Sequence, residues 1–419
     1  MLSRKPLDLS QIFKKNMLKN DLYAKLQEIY QAIAEKYQHE TDTGVLVGSS
    51  GLTLFLFYYS RLVQDDQYSD VASDILMECL EKMNNGYNYP TYCTGISGMA
   101  WVIDHLEQEG FIDNDNDDLL SPMDTYLHSE MMRNMQLKNY DFLHGAIGIA
   151  YYFLNRYRNT KSDALKQQYS NYVVEVIDLL DSYSIKEKET IKWLTILNYE
   201  TNEKAYNLSL SHGMASFLKF FCKLHKFEAF RSKVEPLLRG NANYLLEQKN
   251  REDNPYSMFP NWVSDEGEVS KYSRLSWCYG DLGIALALWE AAGCLEDETM
   301  KKEVLTIFEH AAKRTSYEDS RIMDPGICHG SFGAAKIFNR IYRETGDEQF
   351  LETSRFWIED GLKMAIHEDG YAGFKKWKAK EEIWQSDLTL LEGVAGIGLS
   401  MIDFLSDQDN TWDECLMLN

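Results

Sequence analysis

Two cysteines and a histidine sit at equivalent places in a chain of 419 residues. Cys278 lies two positions before Gly280, Cys328 lies two positions before Gly330, and His329 follows Cys328 directly. Zinc takes nitrogen and sulfur ligands in tetrahedral sets, and three protein ligands leave one position open, as in catalytic rather than structural sites. A substrate thiol bound at such a position is held as thiolate. Two anionic sulfur ligands also weaken the metal as an electrophile, so the set suits thiol alkylation better than hydrolysis. A buried cysteine is ordinarily a packing residue. The matching register of two cysteines, one with a histidine beside it, lifts this set above that reading.

The register comes from a repeat. Gly-x-x-Gly opens an apolar stretch at Gly48/Gly51, Gly95/Gly98, Gly145/Gly148, Gly280/Gly283, Gly330/Gly333 and Gly393/Gly396, and a degenerate copy pairs Gly213 with Ser216. The residues just before the first glycines are Val47, Thr94, His144, His212, Tyr279, His329 and Glu392. Titratable groups at one recurring position of a ring converge. His212 titrates near neutrality and is the candidate proton carrier. Asp141, four residues before Gly145, would orient His212 or take a proton. Arg274, four residues before Cys278, would stabilise a developing oxyanion. Tyr279 either hydrogen-bonds in the pocket or packs. His144 and Glu392 share the slot without an assigned task. The remaining histidines, His39, His105, His128, His225, His310 and His367, are expected in outer segments as surface or packing residues.

Successive first glycines lie 47 to 68 residues apart, room for about two helices plus loops per interval. The stretches 149–154, 217–221, 284–288 and 397–404 are apolar on all sides, so they read as buried helices. Segments 68–83, 163–183 and 301–313 are amphipathic and read as an outer layer. The predicted fold is all-α, an α/α toroid of seven inner and seven outer helices. It is expected to form one domain over 1–419, with 1–40 an N-terminal outer helix or extension and 250–274 a long polar loop before the fifth inner helix.

Composition narrows the function classes. A formal net charge of −22 argues against broad nucleic-acid binding, which needs clustered cations. It would attract a cationic peptide, although solubility alone accounts for it. Hydrophobic residues make up 44% and prolines number seven, which suits a helical core. Seven cysteines form no dense framework, and no apolar signal core follows Met1. A reducing, cytoplasmic setting is expected. The uncharged stretch 43–60 follows the repeat and reads as a buried helix, so no membrane insertion is expected.

Trp277-Cys278-Tyr279-Gly280-Asp281-Leu282-Gly283, Cys328-His329-Gly330 and Ser211-His212-Gly213 resemble the signature motifs of the lanthionine synthetase C-like family, the lanthipeptide cyclases. The resemblance covers nearly the whole chain. It implies an α/α toroid with a central Zn2+ on Cys278, Cys328 and His329, and His212, Asp141, Arg274 and Tyr279 as catalytic or pocket residues. It implies a dehydrated precursor peptide as substrate, whose cysteines add to dehydroalanine or dehydrobutyrine to form thioether rings. It also implies contact with a dehydratase and an exporter, peripheral to a membrane-associated complex. Leu282 departs from the proline of many members, and Ser216 from the usual glycine. Two alternatives stay open: a zinc thiol alkylator resembling protein prenyltransferase β subunits, and a non-catalytic thiol or glutathione binder or scaffold.

Overall fold

Each Gly-x-x-Gly opens a helix buried along most of its length. In the computed structural model these inner helices are α2 (Ser49–Val63), α4 (Ile96–Gln108), α7 (Ala146–Asn159), α9 (Met214–His225), α11 (Asp281–Cys294), α14 (Ser331–Thr345) and α16 (Val394–Leu405). The structure describes residues 9–198, 201, 203–250, 256–270, 272–406 and 408–418. Positions 1–8 of the expected N-terminal extension, and 251–255 and 271 of the expected long loop, lie outside the described residues. The amphipathic segments form the outer layer: α1 (Leu9–Lys36), α3 (Gln67–Asn84), the short α5 (Asn116–Leu120) with α6 (Asp124–Gln136), α8 (Asp163–Tyr183), α10 (Glu228–Glu247), α12 (Glu298–Ala311) and α15 (Glu348–Lys363). A further short helix, α13 (Tyr317–Ser320), precedes α14. The inner helices pack in the order α14, α16, α2, α4, α7, α9, α11, and α1 packs on α16 beside the closure.

The loops before the inner helices close the ring through their backbones. Leu46 and Val47 donate to the carbonyl of Cys93 at 3.1 and 2.9 Å, and Cys93 donates to Leu143 at 2.9 Å. Leu210 and Ser211 donate to Cys278 at 3.0 and 3.3 Å, and Trp277 and Cys278 donate to Cys328 at 3.1 and 3.3 Å. Cys328 then donates to Leu391, and Leu391 to Leu46, both at 2.9 Å. Every residue at the centre of this belt lies two places before a first glycine. The glycines make the belt possible. A Cβ on Gly283 would run into the carbonyl of Trp277, and one on Gly396 into that of Leu390. Gly280 adds a φ of +95°, which L side chains rarely adopt.

Residues 411–418 thread into the centre of the ring. Trp412, Cys415, Leu416 and Met417 are fully buried. Tyr151 of α7 donates to the carbonyl of Glu414 at 2.9 Å, and the Trp277 indole donates to that of Leu416 at 3.0 Å. Lys336 of α14, itself buried, pairs with Asp403 of α16 and with Asp413 of this segment.

The helical ring agrees with the sequence-based expectation, but the longer intervals also hold short strands. Antiparallel pairs join β1 (Ile185–Glu187) to β2 (Thr190–Lys192), and β6 (Lys376–Lys378) to β7 (Ile383–Gln385). A third sheet orders β3 (Thr195–Asn198), β4 (Glu203–Asn207) and β5 (Trp262–Val263). Strands of two to five residues are too short to show the alternation that marks a longer strand. β5 falls within the stretch expected to be wholly loop.

His105 corrects a second expectation. It lies on inner helix α4, buried, with Nε2 3.0 Å from the Tyr58 hydroxyl and its ring 4.8 Å from that of Trp101. His225 likewise ends inner helix α9 rather than lying on an outer one. Burial lowers His105 to about 4, partly offset by Glu414 and Glu109. The folded protein therefore binds fewer protons here than the unfolded chain, so stability falls as pH drops below about 6.5 and keeps falling toward about 4. Between pH 7.5 and 5.5 this group should cost roughly 1 kcal/mol. Urea unfolding at both pH values should show that His105→Gln loses about that much less than wild type over the interval.

Candidate metal centre

Cys278 and Cys328 occupy consecutive rungs of the belt, so the hydrogen bond between their backbones also brings their side chains together. Their Sγ atoms and a ring nitrogen of His329 all lie within 4.8 Å of one another. Both cysteines are buried, and the His329 side chain is 20% exposed. His329 Nε2 lies 3.3 Å from Asp324 Oδ2, which leaves Nδ1 to face a metal. Asp324 is fixed in turn by the amides of Gly326 and Trp377, each at 3.1 Å.

The charges in this cluster suit a dication. The hydrogen bond from Cys328 draws the Cys278 thiol well below its usual range against burial, with His329 adding to the effect. Burial alone lowers His329, but Asp324 and Cys278 together push it up to about 10. Surroundings that hold a proton so firmly on an imidazole also favour a metal ion in its place. Two sulfurs, one imidazole and a carboxylate orienting that imidazole fit zinc.

The neighbouring loop carries a second pair. His212 Nδ1 meets Asp141 Oδ2 at 2.6 Å, while Asp141 Oδ1 accepts the amides of Leu143 and His144 at 2.7 and 2.9 Å. Burial opposes the imidazolium, but the charge and hydrogen bond of Asp141, aided by Cys278, raise His212 above its ordinary value. Asp141 is held below its own, despite burial, chiefly by His212. With Nδ1 engaged, Nε2 is the nitrogen available for proton exchange. The His212 ring lies 6.0 Å from Tyr279 and 6.2 Å from His144. Tyr279 accepts from Asn207 Nδ2 at 3.3 Å, so it bonds as well as packs. Arg274, Cys278 and Tyr279 line an open cleft of about 850 Å3, together with Trp262, Tyr272 and Arg321.

The sequence profile of lanthionine synthetase C-like proteins matches residues 39–417. The chain belongs to that family. By sequence it is similar to the nisin biosynthesis protein NisC of Lactococcus lactis subsp. lactis, 23% identical, with the match covering 97% of this chain and 96% of that protein. It is also similar to glutathione S-transferase LANCL1 of Danio rerio, 21% identical over 73% of this chain and 71% of that protein. Among solved structures, nisin cyclase superposes with a TM-score of 0.71 at 18% identity, covering 94% of this chain and 97% of that one. Among the described residues no helix is long and apolar enough to cross a membrane.

The structure of this lanthionine synthetase C-like protein thus brings Cys278, Cys328 and His329 together, pairs His212 with Asp141, and puts Arg274 and Tyr279 on the adjoining cleft. Glu392 instead pairs with Lys376 at 2.8 Å. Sequence reasoning missed Asp324. A signal existed: the position six before the first glycine is Asp42, Asn139, Asn207, Arg274, Asp324 or Asp387 in six of the seven copies. Elemental analysis of purified protein should find one zinc per chain, with most lost in Cys328→Ala. Asp324→Asn should weaken zinc affinity by roughly 10- to 100-fold in a chelator competition while leaving the fold intact.

Proposed function

We propose that the protein is a zinc-dependent lanthipeptide cyclase. The supporting observation is the nitrogen–sulfur cluster of Cys278, Cys328 and His329 beside the His212–Asp141 pair, in a family that includes NisC. Zinc held by those three residues would keep a cysteine thiol ionised at neutral pH. The substrate is a precursor peptide whose serines or threonines have already become dehydroalanine or dehydrobutyrine. In the open cleft the peptide's cysteine sulfur adds to the β-carbon of a dehydro residue. A carbon–sulfur bond forms, and the electron pair of the double bond passes to an enolate. Arg274 stabilises the enolate oxygen, and His212 returns the thiol's proton to the α-carbon from Nε2 while Asp141 holds Nδ1. The product is a thioether ring. Tyr279 restrains the peptide beside His212. A dehydratase must act before this step, and an exporter after it completes the route; both are partners under this reading.

The similarity to a glutathione S-transferase favours a second reading, in which the same cluster activates glutathione for addition to an external electrophile. One assay separates the two. Under the cyclase reading, free thiols vanish from a dehydrated peptide without added glutathione, and the mass stays unchanged. Under the second, glutathione mass is added. His212→Ala should retain zinc and slow ring formation by about 10²- to 10⁴-fold. Wild-type rates in that variant would remove the proton role assigned to His212.

A further inference from the structure

Eight non-glycine residues adopt positive φ among those described, and Arg321 alone of them lines the cleft that holds Cys278. It ends α13 at φ 59°, ψ 25°, its amide donating to the Tyr317 carbonyl at 2.8 Å. Glycine or asparagine meets that helix-ending conformation at lower cost than arginine. An unfavourable backbone at a cleft points to the side chain as the reason for its presence. That side chain is ordered by two rings, its guanidinium carbon 5.6 Å from the centre of Tyr272 and 5.8 Å from that of Tyr317.

The surroundings point the same way. Tyr272 and Tyr317 are 47% and 48% exposed, and Tyr272 meets Tyr256, itself 44% exposed, edge-on at 5.8 Å. Large aromatics left open at the mouth of a cleft mark a contact surface. Neither Arg274 nor Arg321 makes an ion pair within the described residues, although the chain carries 65 acidic side chains. Against these two cations the cleft wall sets one acid, Glu203. Two guanidiniums without ion-pair partners thus line this cleft in a chain of net charge −22. A planar, exposed guanidinium close to two aromatic rings is suited to bidentate contact with a carboxylate.

We propose that Arg321, set near the rings of Tyr272 and Tyr317, is a substrate-anchoring residue that takes a carboxylate of the peptide at the rim of the cleft. The inference rests on the cyclase reading and adds a preference within it: peptides with an acidic residue placed to reach the rim are bound best. Arg321 acts in binding and leaves the bond-forming step to the deeper residues.

The test uses zinc-loaded full-length protein and dehydrated, cysteine-containing peptides in which a single Glu, or Gln at the same place, is moved along the sequence. Binding is read by fluorescence titration, KM and kcat by loss of free thiol, and stability by thermal unfolding. Wild type should prefer the best-placed Glu peptide over its Gln counterpart by about tenfold in Kd and KM, with kcat within about twofold. Arg321→Gly removes the side chain but suits the backbone, so Tm should stay within about 2 °C while the preference disappears. Arg321→Lys keeps the charge but loses the fork and the stacking, and should recover only part of the preference. Equal Glu and Gln binding by wild type, or an undiminished preference in Arg321→Gly, would overturn the carboxylate subsite while leaving cyclisation standing. A fall of Tm by more than about 5 °C in Arg321→Gly would show a structural role instead. If wild type neither binds nor cyclises any peptide of the set, the cyclase reading falls, and the anchor with it.

Discussion

A nearly continuous run of backbone hydrogen bonds between loops fixes everything else in this ring. Each inner helix could slide along its neighbour at small cost if side-chain packing alone held it, because apolar contact has no direction. The loop-to-loop bonds do have direction, and they set all seven helix starts at one height. Cys278 and Cys328 meet because they are adjacent members of that run, with Cys278 donating its amide to the carbonyl of Cys328. The convergence of Cys278, Cys328 and His329 is thus a property of the repeat, and their cluster needs no loop of its own.

One link differs from the others. Among the described residues, no backbone bond joins Leu143 to Ser211; the Leu143 amide turns to the carboxylate of Asp141, whose other oxygen holds His212. Asp141 therefore joins the third loop to the fourth through a side chain. The helix that follows is the one with Ser216 in place of a second glycine, its hydroxyl turned back to the Gly213 carbonyl at 2.7 Å. A titrating pair sits where the other loops have an unresponsive amide–carbonyl pair. That is a physical reason for the proton transfer proposed for His212 to be placed between these two loops.

The ring was legible in the sequence because its cause is short and repeated. A glycine three residues after another, followed by an apolar stretch, reports a backbone pressed against a backbone, and no other residue satisfies that contact as well. The cluster of Cys278, Cys328 and His329 was legible because the register of the two cysteines matched. Asp324 was not noticed because its slot varies in chemistry, from carboxylate to amide to the guanidinium of Arg274, and only the position recurs. The small sheets escaped for a different reason. β5 is two residues long and draws its partner, β4, from beyond two entire helices, so no local pattern announces it. His105 was misplaced because a histidine on an apolar helix is indistinguishable in sequence from one on a wet face until Tyr58 and Trp101 are seen around it.

The buried segment 411–418 has a consequence for the surroundings of Cys278. Lys336 shares its charge between Asp403 and Asp413, and the indole beside Cys278 hands its proton donor to Leu416. Without that segment the ring would hold Lys336 paired with Asp403 alone and the Trp277 indole without its acceptor. The centre of the ring is therefore filled by residues 411–418 as well as by the inner helices. The surroundings of Trp277, the neighbour of Cys278, are thereby completed by a segment far from it along the chain.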